Sequence, residues 1–128
     1  MRILVIEDTP ELLELLEIVL RAEGHRVSVA MSGWDGLALA RGASLDLILV
    51  DVEMPGMNGF EVLRQLRNDP LLAKVPIVAL TAFATAADRD RVLTAGFTGY
   101  ITKPIRPREF GRQLEMYFRY DDSNGLSR

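Results

Sequence analysis

An α/β domain, with a parallel sheet between two layers of helices, is the fold class this sequence predicts, and three observations predict it. Short apolar runs alternate five times with helix-like stretches along 128 residues. The runs are apolar throughout rather than every second residue, the mark of strands buried on both faces. The connections are too short for a second domain, which leaves a series of right-handed crossovers.

Arg2 to Ile6 (RILVI) is the first run, rich in β-branched residues, and it ends at Glu7-Asp8. Thr9-Pro10 reads as an N-cap followed by proline at the first helical position, where its missing N–H costs nothing. Leu12, Leu13, Leu15, Leu16, Val19 and Leu20 make an apolar stripe, Glu11, Glu14 and Glu17 face away, and Gly24 stops the helix. Val27 to Ala30 is a short strand, and the Ser32-Gly33 turn leads into a helix carrying Leu37, Ala38 and Leu39 and ended by Gly42. Leu47 to Val50 runs straight into Asp51, and the breakers Pro55, Gly56, Asn58 and Gly59 follow. Asn58 caps a helix over Phe60 to Arg67 that buries Val62, Leu63 and Leu66, and Asn68-Asp69-Pro70 breaks it. Pro76 to Leu80 (PIVAL) is the fourth strand and ends at Thr81. A helix from about Thr85 to Ala95, stopped by Gly96, precedes a fifth strand over Gly99 to Thr102 that ends at Lys103-Pro104. The last helix is expected from about Pro107 to Phe118, giving a domain over residues 1–119 and a flexible tail over 120–128.

Composition narrows the function classes. There is no cysteine, which excludes a disulfide framework, a thiolate metal site and thiol chemistry. A formal net charge of −3, with both signs spread along the chain, offers no general attraction to nucleic acid or to an anionic membrane. No apolar run approaches the ~20 residues of a membrane span, and Met1-Arg2 opens straight into a strand without a signal-peptide pattern. A cytoplasmic domain without direct nucleic-acid or membrane contact is the expectation.

Read together, the strand ends carry Glu7 and Asp8, Asp51, Thr81, and Lys103. In an open α/β sheet the carboxyl ends of the strands collect ligands, because loops and helix N-termini converge there. Three carboxylates gathered at one edge repel, and a hard divalent cation relieves the repulsion. Mg²⁺ takes oxygen ligands, keeps several waters and commonly adds a phosphate oxygen. Asp8 and Asp51 suit direct ligation, Glu7 ligation directly or through water, and the backbone carbonyl of Glu53 adds a further oxygen. A lysine and a threonine opposite such a metal are what a phosphoryl group needs, and a carboxylate such as Asp51 serves as its acceptor. Taken singly, each residue has an ordinary explanation: a solvated turn for Glu7-Asp8, a cap for Thr81, a loop cation for Lys103. The combination is what points to phosphoryl chemistry.

The segments ILVIED, DLILVDVEMPGMNGFEVLRQLR, PIVALTA and AGFTGYITKP, spread from Arg2 to about Phe118, resemble those of response-regulator receiver domains of two-component signalling. The resemblance implies the doubly wound, flavodoxin-like (βα)5 fold with strand order 2-1-3-4-5. It further implies that Asp51 takes a phosphoryl group from a histidine kinase or histidine phosphotransfer protein, with Mg²⁺ (or Mn²⁺) held by Glu7, Asp8, Asp51 and the Glu53 carbonyl. Thr81 and Lys103 match the family's phosphoryl-binding pair, Tyr100 its aromatic switch position, and the Lys103-Pro104 bond is implied to be cis. Glu53 and Phe83, two residues beyond Asp51 and Thr81, match positions that tune phosphoryl lifetime. Phe83 is expected to shield the acyl phosphate from water, and Glu53 to oppose it by binding water or pairing with Lys103.

On this resemblance the helix after Thr81, the Tyr100 strand and the last helix form the readout face for a downstream protein target, with Arg89, Arg91, Arg106, Arg108 and Arg112 in those segments. The expected particle is a monomer or weak dimer that catalyses only its own phosphorylation and dephosphorylation. The residues after Phe118 are too few for an output domain, so the chain acts alone or is a receiver excised from a longer response regulator or hybrid histidine kinase. The main enzymatic alternative is a Mg²⁺-dependent phosphatase or mutase with an aspartyl nucleophile, in which Glu53 is the acid/base. Its nucleophile would end the first strand rather than the third, and no cap domain is available. A flavin or nucleotide carrier lacks its glycine-rich loop after the first strand. A scaffold used only for protein contacts leaves the acidic site unexplained.

Overall fold

The computed structural model describes the backbone of residues 1–126 and the side chains of residues 1–117. Five strands, β1 (Arg2–Ile6), β2 (Arg26–Ala30), β3 (Leu47–Asp51), β4 (Ile77–Thr81) and β5 (Gly99–Thr102), pair in parallel in the order β2-β1-β3-β4-β5. Between and after them run α1 (Pro10–Ala22), α2 (Gly33–Ala40), α3 (Gly59–Arg67), α4 (Ala86–Ala95) and α5 (Pro107–Leu126). This is the doubly wound order the resemblance implies.

Alternate strand residues point to opposite faces and feed two separate cores. Leu4, Ile6, Ile48, Val50, Ile77 and Ala79 meet Leu37, Val62, Leu63, Leu66 and Val92 from α2, α3 and α4. Ile3, Val5, Leu47, Leu49, Val78, Leu80 and Ile101 meet Leu13, Leu16 and Leu20 of α1 and Phe110 and Leu114 of α5. Every residue of β3 and β4 is buried, which is why their sequences show no polar alternation. Each large aliphatic side chain so buried is worth about 1.5–3 kcal/mol, enough to hold the sheet rigid beneath its loops.

The helix starts follow the sequence closely. Ser32 accepts from Asp35 N, Asn58 from Glu61 N, and Thr85 forms a reciprocal capping box with Asp88. Thr9 occupies the N-cap of α1 without a side-chain hydrogen bond, and its backbone N–H donates to Glu7 Oε2. Gly96 ends α4 in the left-handed region at φ 116°. Gly59 has a different reason: a Cβ there would lie 2.6 Å from Asp51 O and from Val52 Cα, so only glycine lets α3 start directly against the end of β3.

Three details differ from the sequence reading. A 3-10 turn, Pro70–Leu72, follows α3, with Asp69 accepting from Leu71 N. Of the apolar residues of α2, Leu37 and Ala40 are buried whereas Ala38 and Leu39 are exposed. The last helix continues past Phe118 to Leu126; the flexible tail proposed for 120–128 falls outside the described side chains, and residues 127 and 128 outside the described backbone. No described helix is long and apolar enough to cross a membrane.

Candidate functional site

Asp51 and Thr81 are the final residues of β3 and β4, Glu7 and Asp8 follow β1, and Lys103 follows β5. The parallel register sets Asp51 beside Leu80 and Thr81 beside Thr102, so all five side chains rise at one sheet edge. Strand order reverses direction between β1 and β3, and the crevice that opens at such a point is where Glu7, Asp8 and Asp51 meet. Their carboxylate oxygens lie within 4.8 Å of one another.

Lys103 is the cation that balances them. Its Nζ lies 3.0 Å from Asp51 Oδ1, 3.3 Å from Glu7 Oε1 and 3.9 Å from Glu53 Oε1. Partial burial pulls the Lys103 ammonium down, but its hydrogen bond to Asp51 and the charges of Asp51 and Glu7 outweigh this and hold its pKa above the usual lysine value. Glu7 is fully buried. Burial, reinforced by the Asp51 charge and partly offset by the Thr9 N–H and Lys103, raises its pKa to about 7. Thr9 N donates to Glu7 Oε2 at 3.0 Å, whereas Oε1 lies 3.3 Å from Lys103 Nζ and meets no aligned donor among the described residues.

An unsatisfied buried oxygen beside two further carboxylates, all hard donors, fits a small divalent cation of the Mg²⁺ type. Glu53 N donates to Asp51 Oδ1 at 2.9 Å, which folds the β3–α3 loop back so that the Glu53 main chain borders the same crevice.

The remaining predicted residues take distinct places. Thr81 is buried, and its hydroxyl donates to Glu53 Oε2 at 2.8 Å while accepting from Phe83 N at 3.0 Å. Ala82 N donates to Glu53 Oε1 at 3.1 Å. The Glu53 side chain is therefore bound to Thr81 and Ala82 more closely than to Lys103, the partner the sequence suggested. Phe83 is 58% exposed and lines a small cavity of about 90 Å³ with Val52, Glu53, Asn58, Phe60 and Thr81. Tyr100 does not enter the acidic crevice. It packs at the edge of the core under α4, with the Arg89 guanidinium 5.6 Å above its ring. The Lys103-Pro104 peptide is cis.

One residue that sequence reasoning passed over frames the opposite end of the sheet. Arg67, the last residue of α3, donates to the carbonyls of Leu72, Ala73, Val75 and Gly96 and to Thr98 Oγ1. Its partners are mostly main-chain oxygens, which leave no trace in the sequence.

Comparison with known proteins agrees with this geometry. The model of the response regulator receiver domain matches residues 3–115. The response regulator PleD of Caulobacter vibrioides is 45% identical over 104 residues, 81% of this chain and 23% of that protein, so the chain spans about a quarter of that relative's length. The chemotaxis protein CheY4 of Vibrio cholerae superposes with a TM-score of 0.86 at 29% identity, covering 90% of this chain and 96% of that one. The receiver domain of the sensor histidine kinase PA1611 of Pseudomonas aeruginosa superposes with a TM-score of 0.81 at 35% identity, over 90% of this chain and 94% of that one. That structure holds a magnesium ion coordinated in its active-site cleft. With the strand order, the acidic crevice and the sequence match in agreement, the chain belongs to the response regulator receiver domain family of two-component signalling.

Proposed function

We propose that this domain accepts a phosphoryl group on Asp51 from the phosphohistidine of a histidine kinase or histidine phosphotransfer protein and uses it to control a downstream protein. The observation that carries this reading is the approach of Lys103 Nζ to a nearly fully buried Asp51 and to the buried Glu7 Oε1 beside it. An Asp51 oxygen attacks phosphorus in line as the donor's P–N bond breaks and its electron pair stays on the imidazole. Lys103 balances the charge that gathers on the phosphoryl oxygens, and Thr81 donates its hydroxyl to one of them. A Mg²⁺ ion held by Asp8, Asp51, Glu7 and the Glu53 carbonyl supplies, when bound, further neutralisation of that charge.

The readout follows from the position of Thr81. Once its hydroxyl turns to the phosphoryl group, space opens behind β4, and Tyr100 exchanges its perch under Arg89 for an inward position. The α4–β5–α5 face then presents a different surface to its target. The phosphatase alternative finds no support in Glu53, whose carboxylate is engaged by Thr81 and Ala82 rather than free to activate water beside Asp51. The domain is thus read as a switch that acts on itself, either alone or within a longer signalling protein.

Intact-mass spectrometry after incubation with acetyl phosphate tests this. One phosphoryl adduct that requires Mg²⁺ and is lost in Asp51→Asn is the expected result. Turnover of a generic phosphate ester without a phosphoprotein would contradict it.

A further inference from the structure

We propose that the Glu53 side chain is a built-in stand-in for the phosphoryl group, occupying the donors that the phosphoryl oxygens need and yielding them only when Asp51 is modified. The proposal rests on the phospho-acceptor reading and adds to it what holds the resting state. Glu53 Oε2 receives the Thr81 hydroxyl at 2.8 Å, and Oε1 receives the Ala82 N–H at 3.1 Å with Lys103 Nζ 3.9 Å away. A hydroxyl, a backbone N–H and an ammonium aimed at one anion are an oxyanion pocket in chemical terms. In this chain that pocket is filled by a carboxylate from two residues beyond the acceptor.

Geometry makes the occupancy exclusive. Glu53 N is tied to Asp51 Oδ1 at 2.9 Å, so the side chain starts beside the acceptor and cannot hold Thr81 from elsewhere. A phosphoryl group on Asp51 would bring a second anion to the same three donors, and like charges at that spacing repel. The Glu53 side chain keeps about a quarter of its surface in solvent, so it has an outward path. Its departure frees the Thr81 hydroxyl and the Ala82 N–H together. Glu53 therefore opposes phosphoryl acceptance and couples it to the reorientation of Thr81, the first movement of the proposed switch.

Beryllium trifluoride, a phosphoryl mimic that coordinates a carboxylate, provides the test without a donor protein. Calorimetry in saturating Mg²⁺ would compare wild type, Glu53→Ala and Glu53→Gln, with the Mg²⁺ affinity of each measured separately. Glu53→Ala is expected to bind the mimic about tenfold tighter or more. Glu53→Gln, which keeps an acceptor for Thr81 but no charge, should fall between. In metal-free protein the Ala82 amide should exchange faster in Glu53→Ala than in wild type, a readout independent of any loaded site. Equal or weaker binding of the mimic by Glu53→Ala overturns the proposal, as does a gain matched by an equal gain in Mg²⁺ affinity. If wild type and both variants neither bind the mimic nor accept phosphoryl from acetyl phosphate, the phospho-acceptor reading itself fails.

Discussion

The ammonium of Lys103 stands 3.0 Å from Asp51 Oδ1, closer than to either of its other carboxylate partners. In the resting protein it occupies charge space that a divalent cation and a phosphoryl group would share. Lys103→Met should tighten Mg²⁺ binding by roughly tenfold, since a unit charge a few ångströms from the ligands no longer opposes the ion. The same change should slow phosphorylation of Asp51, because no cation then meets the incoming oxygens. Metal titration and adduct formation on one variant separate the two effects; a loss of Mg²⁺ affinity would refute the assignment.

Glu7 gives the site a pH signature. In metal-free protein its pKa is raised from 4.5 to about 7, first by burial and then by Asp51. Between these values the native state holds a proton that the unfolded chain has released, so stability is greatest below pH 4.5 for this group and is lost as pH rises through about 7. The loss is on the order of 1–3 kcal/mol. Glu7→Gln should remove this slope, and the difference between its Tm profile and that of wild type isolates Glu7 from other titrating groups. Saturating Mg²⁺ should flatten the wild-type profile in the same window, with release of a proton on binding near neutral pH. Identical profiles for wild type and Glu7→Gln would show that folding leaves the Glu7 pKa unshifted.

Arg67 should prove structural. Arg67→Ala leaves carbonyls of Leu72, Ala73, Val75 and Gly96 without this donor and should cost about 2–4 kcal/mol in denaturant unfolding. Arg67→Lys should not restore it, because a single ammonium cannot span donors to both the segment after α3 and the α4–β5 connection. Mg²⁺ affinity should be unchanged in both variants, as the residue lies at the far edge of the sheet. A variant as stable as wild type would remove this role.

Phe83 borders the cleft beside Thr81 and Glu53 with most of its ring in solvent. Phe83→Ala should admit water to the acyl phosphate and shorten its lifetime severalfold, while leaving stability nearly unchanged for so exposed a residue. An unchanged dephosphorylation rate would mean that the ring does not cover the phosphoryl group.

Much of the fold and the site could be read from particular residues. Runs such as Leu47 to Val50 and Ile77 to Leu80 are apolar because both faces of the sheet are covered, and each run ends in the polar residue that the crevice uses. Ser32, Asn58 and Thr85 announce their helices by capping them. What escaped the sequence depends on contacts with no local pattern. Glu53 and Thr81 are 28 residues apart, so their hydrogen bond follows only from the adjacency of β3 and β4. Arg67 binds main-chain oxygens, which any residues at those positions would present. Tyr100 shows its place in a strand, but the Arg89 guanidinium over its ring comes from α4 and has no local pattern.

The most direct measurement traps the modified residue. Wild-type protein treated with acetyl phosphate and Mg²⁺ is reduced with borohydride, which converts an aspartyl phosphate to homoserine, and its peptides are sequenced by mass spectrometry. Homoserine at position 51, dependent on Mg²⁺ and on acetyl phosphate, is the expected result. Homoserine at Asp8 in its place, the longer alcohol 5-hydroxynorvaline at Glu7 or Glu53, or a phosphoryl group that resists borohydride and maps to Thr81, would contradict the assignment of Asp51 as the acceptor.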